Sequence, residues 1–197
     1  IPRTVYEYLA HLVQFPKQEP ARQLDNPVWH IHRGHPPAED AHLSFNILLN
    51  LTNVSHAEDK MALWKYITRL RPDANPKNAP FLDKLVAHAI VYYRDFVRPA
   101  RKYRLPSEME RAALSDLARV LAALPEGADA EAIQTEVYEV GKRHAFPDLR
   151  AWFKALYEIL LGQTDGPRMG SFIALYGRSE TLALIERALR GESLAEG

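Results

Sequence analysis

The spacing of apolar residues along the chain is helical almost everywhere. Across residues 81–97, apolar side chains recur every three or four positions, which is the repeat of one face of an α-helix. Similar stripes run over residues 4–15, 43–54, 57–70, 107–124, 129–142 and 149–161. No segment alternates between apolar and polar residues for long enough to predict a strand. The pattern therefore predicts an all-α fold, a helical bundle.

Local signals predict where several helices begin and end. Ser107 and Glu110 form a capping box at the start of one helix, because each side chain can bond the backbone N–H of the other. Ser55 and Ser179 are predicted N-caps of the helices that follow them. Gly162 is a predicted helix end, after which the chain turns before another helix.

Residues 17–40 are rich in proline and histidine and predict a long irregular connection, a kind of segment that is often functional. A metal site is one interpretation of the histidines here, since imidazole is a common ligand. The spacing is weak and a second ligand group is not found, so packing, hydrogen bonding or an RNA contact is preferred and no metal is predicted. The candidate metal ligands are His30, His32 and His35, with Asp40 and His42 nearby.

Charge is balanced over the whole chain but not along it. There are 25 Lys and Arg against 25 Asp and Glu. Residues 65–104 carry ten basic and three acidic side chains, residues 105–141 two and eight, and residues 142–190 eight and five. The two basic stretches are either solvated helix faces or surfaces that lie against a phosphate backbone. The backbone-contact candidates in the first stretch are Arg94, Arg98, Arg101, Lys102 and Arg104.

Most chemistry of stand-alone enzymes is absent from the sequence. The chain has no cysteine, which excludes disulfides, zinc ribbons and a thiol nucleophile. The glycines at 162, 166 and 170 lack the Lys-Ser/Thr pair of a P-loop, and Glu108 and Glu110 belong on a polar helix face. The glycosylation patterns at Asn50 and Asn53 are attributed to chance. These absent motifs predict no catalytic residue in this chain. No apolar run reaches membrane-spanning length and no leader opens the chain, so no membrane contact is predicted.

Residues 152–177 carry the most specific candidate site. A helix ends at a glycine, a short turn follows, and Gly166-Pro167 opens a second helix whose free N–H groups suit phosphates or base edges. Stacking, amide, guanidinium and apolar groups near this junction are those that read splayed RNA bases. They are supplied by Tyr157, Gln163, Arg168 and Met169, although Tyr157 and Met169 are equally explained as core residues.

The same segment, ALYEILLGQTDGPRMGSFIALYG, closely resembles the C-terminal part of class I lysyl-tRNA synthetases, and the overall character resembles the alphaproteobacterial members. Further matching strings fall in the family's order and extend the resemblance over nearly the whole chain. They are IPRTVYEYL (Ile1–Leu9), PVWHIHRGHPP (Pro27–Pro37), SFNILLNL (Ser44–Leu51) and YYRDFVRPARKYR (Tyr92–Arg104). The connection between His144 and Trp152 is shorter than the family pattern.

The resemblance implies a cage-type anticodon-binding domain over residues 71–197, preceded by a stem-contact region over residues 1–70. It implies docking of the anticodon arm of lysine tRNA by a cytoplasmic protein. The family activates lysine with ATP in a Rossmann-type domain of the same polypeptide. That domain and its ATP motifs are not in this chain, so the chain alone is expected to be inactive and to bind no cofactor.

Likeness to the related glutamyl-tRNA synthetases places anticodon contacts at Tyr157, on the first helix, and at the turn formed by Gly166, Pro167, Arg168 and Met169. The glutamyl enzymes have arginine where this chain has Tyr157, which fits a different base being read. The resemblance thus implies stacking by Tyr157 and a phosphate or base contact by Arg168. Gln163 is a candidate for hydrogen bonding a uracil edge.

Three other functions are compatible with parts of the sequence. The chain could be a free-standing RNA-binding relative that never had a catalytic partner. It could be a helical protein-interaction scaffold with no RNA role, or a metalloenzyme built on the histidine cluster. Affinity for tRNA that falls steeply with salt separates the RNA-binding hypotheses from the scaffold.

Overall fold

The computed structural model describes residues 2–37 and 43–195, and these residues form α-helices with no strand. The all-α prediction is therefore confirmed. No helix in the described residues combines the length and apolar character needed to cross a membrane. The helices are α1 (Pro2–Gln14), α2 (Pro20–Gln23), α3 (Pro27–Ile31), α4 (Phe45–Ser55), α5 (Lys60–Leu70), α6 (Pro80–Tyr92), α7 (Glu108–Ala123), α8 (Ala130–Arg143), α9 (Leu149–Leu156), α10 (Met169–Tyr176) and α11 (Arg178–Arg190).

Two helices continue into wider turns that matter for the site. A π-helical turn over Tyr93–Val97, here called the first π turn, extends α6, and a short 3-10 turn over Arg98–Ala100 follows it. A second π turn over Tyr157–Leu161 extends α9 and ends at Gly162, whose φ of 66° is left-handed. The predicted helix end at Gly162 is confirmed.

The helix starts follow the predicted signals in part. The capping box of Ser107 and Glu110 is present at α7. The predicted N-cap at Ser55 is wrong, because Ser55 is the last residue of α4 and its hydroxyl donates to the Leu51 carbonyl at 2.6 Å. The predicted N-cap at Ser179 is also wrong, because α11 already begins at Arg178 and its N-cap is Gly177, two residues before Ser179.

The segment over residues 17–40 is more regular than predicted, because it contains α2 and α3 in its described part. Asn26, which is 3% exposed, caps α3 by accepting from the Val28 N–H at 2.9 Å. Its amide also donates to the His11 carbonyl of α1 at 3.0 Å. A polar residue buried between two helices thus organises a stretch in which proline and histidine content predicted an irregular connection.

The core is one hydrophobic cluster that includes buried residues on both sides of residue 70, and the division into regions 1–70 and 71–197 stays a prediction. Trp152, which is fully buried, donates its indole N–H to the Val137 carbonyl at 2.9 Å and joins α9 to α8. Where α10 crosses α8, the Gly170 N–H donates to Gln134 Oε1 at 2.7 Å. A Cβ at Gly170 would collide with the Ala130 carbonyl, so glycine permits this close approach.

Candidate nucleic-acid interface

Two buried asparagines of α4 join the two segments that the sequence predicted to contact RNA. Asn50 is 0% exposed and Asn53 is 1% exposed. Their spacing of three residues puts both side chains on one face of the helix. Sequence reasoning missed this role, although two asparagines at helical spacing inside an apolar stretch are the signal of a buried polar network. The network is complete around Asn53 and incomplete around Asn50.

Asn53 makes three hydrogen bonds that hold four parts of the chain together. Its Nδ2 donates to the carbonyl of Leu161, at the end of the second π turn, at 3.0 Å. Its Oδ1 accepts from the Tyr93 hydroxyl at 2.8 Å and the Tyr103 hydroxyl at 3.0 Å. Burial raises the pKa of both tyrosines, so both hydroxyls stay protonated donors at neutral pH.

Asn50 bonds one candidate from each segment. Its Oδ1 accepts from Gln163 Nε2 at 2.6 Å and, at a long 3.4 Å, from Arg101 Nη2. Its own amide group donates back to the Asn46 carbonyl at 2.9 Å within α4. Gln163, predicted to bond a uracil edge, therefore uses its amide nitrogen inside the protein. An RNA contact by Gln163 stays a prediction.

Tyr157 contacts two residues of the Gly-Pro turn. Its hydroxyl donates to the Pro167 carbonyl at 3.0 Å, and its half-buried ring packs against Gly166. A Cβ built on Gly166 would lie 2.5 Å from Tyr157 Cδ1, so only glycine lets the ring approach this closely. Burial raises the pKa of Tyr157 and keeps its hydroxyl a donor. The structure brings these three predicted residues together, and the stacking role of Tyr157 stays a prediction.

The next two residues of the turn point in opposite directions. Arg168 is the N-cap residue of α10, its side chain is 51% exposed, and Nη2 donates to Glu131 Oε2 of α8 at 2.6 Å. Met169 is 1% exposed and packs in the core, which corresponds to the core alternative for this residue. Pro167 is also buried. Among the predicted turn residues 166–169, the exposed side chain is therefore that of Arg168.

The basic segment has one arginine that is fully occupied by the protein. Arg104 donates to both carboxylate oxygens of Glu110, at 2.7 and 2.8 Å, and to Glu158 in the second π turn at 2.7 Å. Hydrogen bonding to Arg104 lowers the pKa of Glu110 to about 2, and the two carboxylates raise the pKa of Arg104. Arg104 was predicted to follow an RNA backbone, but here it joins α7 to the second π turn.

The other cations of that segment differ in their surroundings. Arg94 pairs with the neighbouring Asp95 at 2.7 Å, and the side chains of both Arg98 and Lys102 are exposed. Arg101 is partly buried, and burial lowers the pKa of its guanidinium. Its Nε and Nη1 atoms are shielded from water and meet no acceptor among the described residues. Such donors are rare because an unpaired buried N–H is unfavourable.

Arg101 lines a groove of about 610 Å³ that lies between residues 96–104 on one side and residues 162–165 on the other. We call it the Arg101 groove. One wall carries Arg101, Lys102 and Arg104, and the opposite wall carries Glu158 and Asp165. The basic segment and the Gln163 turn, which lie about sixty residues apart in sequence, therefore meet at one groove, where the Lys102 N–H donates to the Gly162 carbonyl at 2.9 Å.

The histidines of residues 30–35 do not converge on a common point. His30 Nε2 bonds with the Leu24 carbonyl at 2.7 Å, and His32 Nε2 bonds with the Tyr8 hydroxyl at 2.8 Å. Within residues 2–37 and 43–195, no three His, Asp or Glu side chains gather as a metal site would require. Asp40 and His42 lie outside the described residues.

Comparison with known proteins identifies the relatives of this chain. It is 50% identical over 196 residues to the lysine–tRNA ligase of Roseobacter denitrificans. This chain is related over its whole length to lysine–tRNA ligases. It is 46% identical over 191 residues to the ligase of Rickettsia bellii and 42% identical to that of Rickettsia felis, with 96% of the chain covered in each. No protein-family profile matches it.

The chain spans about 37% of the length of the first two of these ligases and 36% of the third. The predicted resemblance to lysyl-tRNA synthetases is confirmed at the level of lysine–tRNA ligases. The relationship extends over both asparagines of α4, the basic segment and the Gly-Pro turn, because 100% of the chain is aligned in the first comparison.

Proposed function

We propose that this chain is the tRNA-binding part of a class I lysine–tRNA ligase and that it docks the anticodon arm of lysine tRNA. The observation that carries the proposal is the 50% identity, across the full chain, to a lysine–tRNA ligase. The all-helical fold supports it, because a helical domain without a strand suits arm docking and not nucleotide chemistry on a parallel sheet.

The geometry supports one point of contact most directly. Arg168 stands at the start of α10 with an exposed guanidinium, and its partner Glu131 is itself 69% exposed. An exposed ion pair of this kind contributes little stability, so a phosphate can replace the carboxylate with little loss. The exposed cations Arg98 and Lys102 would add contacts to the RNA backbone.

Lysine activation is assigned to the remainder of the ligase. In our proposal ATP and lysine bind to a catalytic domain of the same polypeptide, in the cytoplasm, and no residue of this chain takes part in the chemical step. This chain alone then binds no cofactor and forms no lysyl-tRNA.

The test is binding of lysine tRNA to this chain, measured by fluorescence anisotropy at two salt concentrations. We expect affinity to fall about tenfold or more between about 50 and 200 mM salt, since several phosphate contacts release counterions. We expect Arg168→Ala to weaken binding about fivefold. Arg119→Ala is the matched control, because Arg119 is also an exposed, ion-paired arginine but lies in the acidic stretch on α7.

Replacing the central anticodon uridine separates base reading from backbone docking. Selective loss with the altered anticodon supports anticodon recognition by this chain, and disappearance of that selectivity in Arg168→Ala supports the Gly-Pro turn as its place. Equal binding of both tRNAs limits the function to backbone docking. No binding at low salt would contradict the proposal and favour a protein-interaction module.

A further inference from the structure

The Arg101 groove contains a cation whose donors the protein leaves unused. Nε and Nη1 of Arg101 are shielded from water and have no acceptor in the described part of the chain. The neighbouring Asn50 Oδ1 cannot supply one, because it already accepts from Gln163 at 2.6 Å and reaches only Nη2 of Arg101, at 3.4 Å. The folded chain therefore carries the unfavourable free energy of two buried nitrogen donors without an acceptor.

The guanidinium of Arg101 has few polar partners. A single long hydrogen bond to Asn50 is the one side-chain hydrogen bond that it makes among the described residues. Arg104, three residues later, is by contrast fixed by three short bonds to two carboxylates. A ligand that offers acceptor oxygens in the groove would gain the bonds that the protein does not make.

An exposed aromatic ring stands at the edge of the same groove. Phe96 lines the groove and is 65% exposed, while one side of its ring packs on Tyr92 with 5.2 Å between the ring centres. An exposed aromatic ring beside a basic groove is a surface on which a planar base of single-stranded RNA can stack.

Both π turns of the described chain end at this groove. The first π turn supplies Phe96 and Val97, and the second supplies Glu158 and leads into Gly162. A π turn inserts a residue into a helix at a cost in hydrogen-bond geometry, and such turns occur frequently at functional sites. Here they set the two walls of one cleft.

The size and charge of the groove limit its occupant. A volume of about 610 Å³ suits a ligand of nucleotide size. Arg101 and Lys102 face Asp165, while Glu158 is already occupied by Arg104 at 2.7 Å and Lys154 at 3.6 Å. The surplus is therefore positive but small, which suits a single nucleotide better than a polyanionic ligand.

We propose that the Arg101 groove binds one nucleotide of the RNA strand, whose base stacks on Phe96 and whose acceptor oxygens bond to Arg101. The proposal rests on the tRNA binding proposed above and adds a subsite separate from Arg168. The acceptor is a phosphate oxygen or a base carbonyl, and both present the same chemistry to the guanidinium. Binding draws Arg101 from its poorly paired position into the groove.

The test uses a stem-loop RNA with the anticodon arm sequence of lysine tRNA and the variants Phe96→Ala and Arg101→Met. We expect each variant to bind about tenfold more weakly, which is the size of one lost stacking or charged contact. Val91→Ala is the matched control for Phe96. Val91 is 46% exposed and lines, together with Phe96 and Tyr92, an apolar cleft beside α6, but it does not line the Arg101 groove.

Modified RNAs identify the nucleotide and the acceptor. We expect one loop position at which removing the base weakens binding to the wild type but has no further effect on Phe96→Ala. We expect either a neutral methylphosphonate linkage or removal of that base to abolish the effect of Arg101→Met. The first result would assign a phosphate as the acceptor and the second a base carbonyl.

Stability distinguishes a ligand-binding arginine from a structural one. Because Arg101→Met removes unpaired buried donors, we expect its midpoint of thermal unfolding to equal or exceed that of the wild type while RNA affinity falls. A clear decrease in the midpoint would assign Arg101 to the fold and overturn the inference. If RNA binding is insensitive to Phe96→Ala and Arg101→Met but sensitive to Arg168→Ala, this inference alone is overturned. Equal losses of affinity in Val91→Ala and Phe96→Ala also overturn this inference alone. No binding by the wild type overturns the proposed function as well.

Discussion

The polar networks around Asn53 and Asn50 lie one helical turn apart on α4 and differ in one respect. Around Asn53, the amide and the two tyrosine hydroxyls all have partners, at 2.8–3.0 Å. Around Asn50, Arg101 keeps two buried nitrogens without an acceptor, and its bond to Asn50 Oδ1 is long, at 3.4 Å. A complete network is expected to carry stability, whereas an incomplete one leaves bonding capacity for a ligand.

The two arginines beside these networks follow the same division. Arg104 forms a bidentate pair with Glu110 and a further bond to Glu158, and these bonds fix the first wall of the groove. Arg101 lies in the same short segment and has no carboxylate within bonding distance among the described residues. Residue type alone thus predicts the same basic surface for both, while the structure pairs Arg104 with two carboxylates and leaves Arg101 without one in the described part of the chain.

The largest effect is expected from Asn53→Ala, which breaks the complete network. The substitution leaves the Leu161 carbonyl and the hydroxyls of Tyr93 and Tyr103 without their partner. We expect the free energy of unfolding to fall by about 3 kcal/mol, since each buried group loses its bond without gaining water. Urea denaturation followed by circular dichroism measures this loss.

Met61→Ala is the control for that measurement, because Met61 on α5 is 73% exposed. The control should unfold within about 0.5 kcal/mol of the wild type. If Asn53→Ala were as stable as the control, the division between a complete and an incomplete network would be wrong.

The second effect concerns the ion pair of Arg104 and depends on pH. Because the folded-state pKa of Glu110 is lowered from 4.5 to about 2, its ionised form stabilises the fold above pH 4.5, and this stability is lost as pH falls toward 2. We expect Glu110→Gln to lower the free energy of unfolding by about 2 kcal/mol at neutral pH, a discounted value because Arg104 is 39% exposed.

Denaturation at a series of pH values checks this expectation. The difference between the wild type and Glu110→Gln should shrink steadily below pH 4.5 and nearly vanish near pH 2. A difference that stays constant across this range would mean that the loss arises from the capping box with Ser107 and not from the charge of Glu110.

The sequence was informative where local chemistry decides the structure. The capping box at Ser107, the helix end at Gly162 and the helical stripes depend on neighbours within a few residues, and they were predicted correctly. The N-cap prediction at Ser55 failed because a serine inside a helix can bond a carbonyl one turn earlier, as Ser55 does. The prediction at Ser179 failed because Ser179 already lies in the first turn of α11, whose N-cap is Gly177. Tertiary contacts through Asn26 likewise ordered a segment that composition marked as irregular.

The candidate site was predictable as a region but not as a set of contacts. The sequence located the Gly-Pro turn and the basic segment, yet it could not show that Arg104 is paired while Arg101 is not. Arg104 is paired with Glu110, six residues away, and with Glu158, 54 residues away, whereas Arg101 reaches Asn50, 51 residues away. Pairing over such separations is set by packing, which periodicity does not encode.

A smaller effect is expected from Gln163→Ala, which acts on the incomplete network. The bond from Gln163 Nε2 to Asn50 Oδ1 is short, but Gln163 is only partly buried, so water can replace one side of it. We expect a loss of about 1 kcal/mol in the free energy of unfolding, well below that of Asn53→Ala. Urea denaturation of both variants side by side gives the comparison, and equal losses would contradict it.

The smallest effect on stability is expected at the exposed pair of Arg168 and Glu131. Here a substitution is expected to strengthen RNA binding and not to weaken the protein. Both side chains are more than half exposed, so Glu131→Gln should change the free energy of unfolding by less than about 0.5 kcal/mol. The same substitution removes a negative charge that competes with phosphate for Arg168. We therefore expect affinity for lysine tRNA to rise about threefold at low salt, with the gain disappearing at high salt. Fluorescence anisotropy measures the change. Glu126→Gln controls for net charge, because Glu126 lies in the same acidic stretch but is not the partner of Arg168. An equal gain in affinity in Glu126→Gln would mean that RNA responds to the overall charge of the protein. The ion pair of Arg168 and Glu131 would then have no specific part in binding.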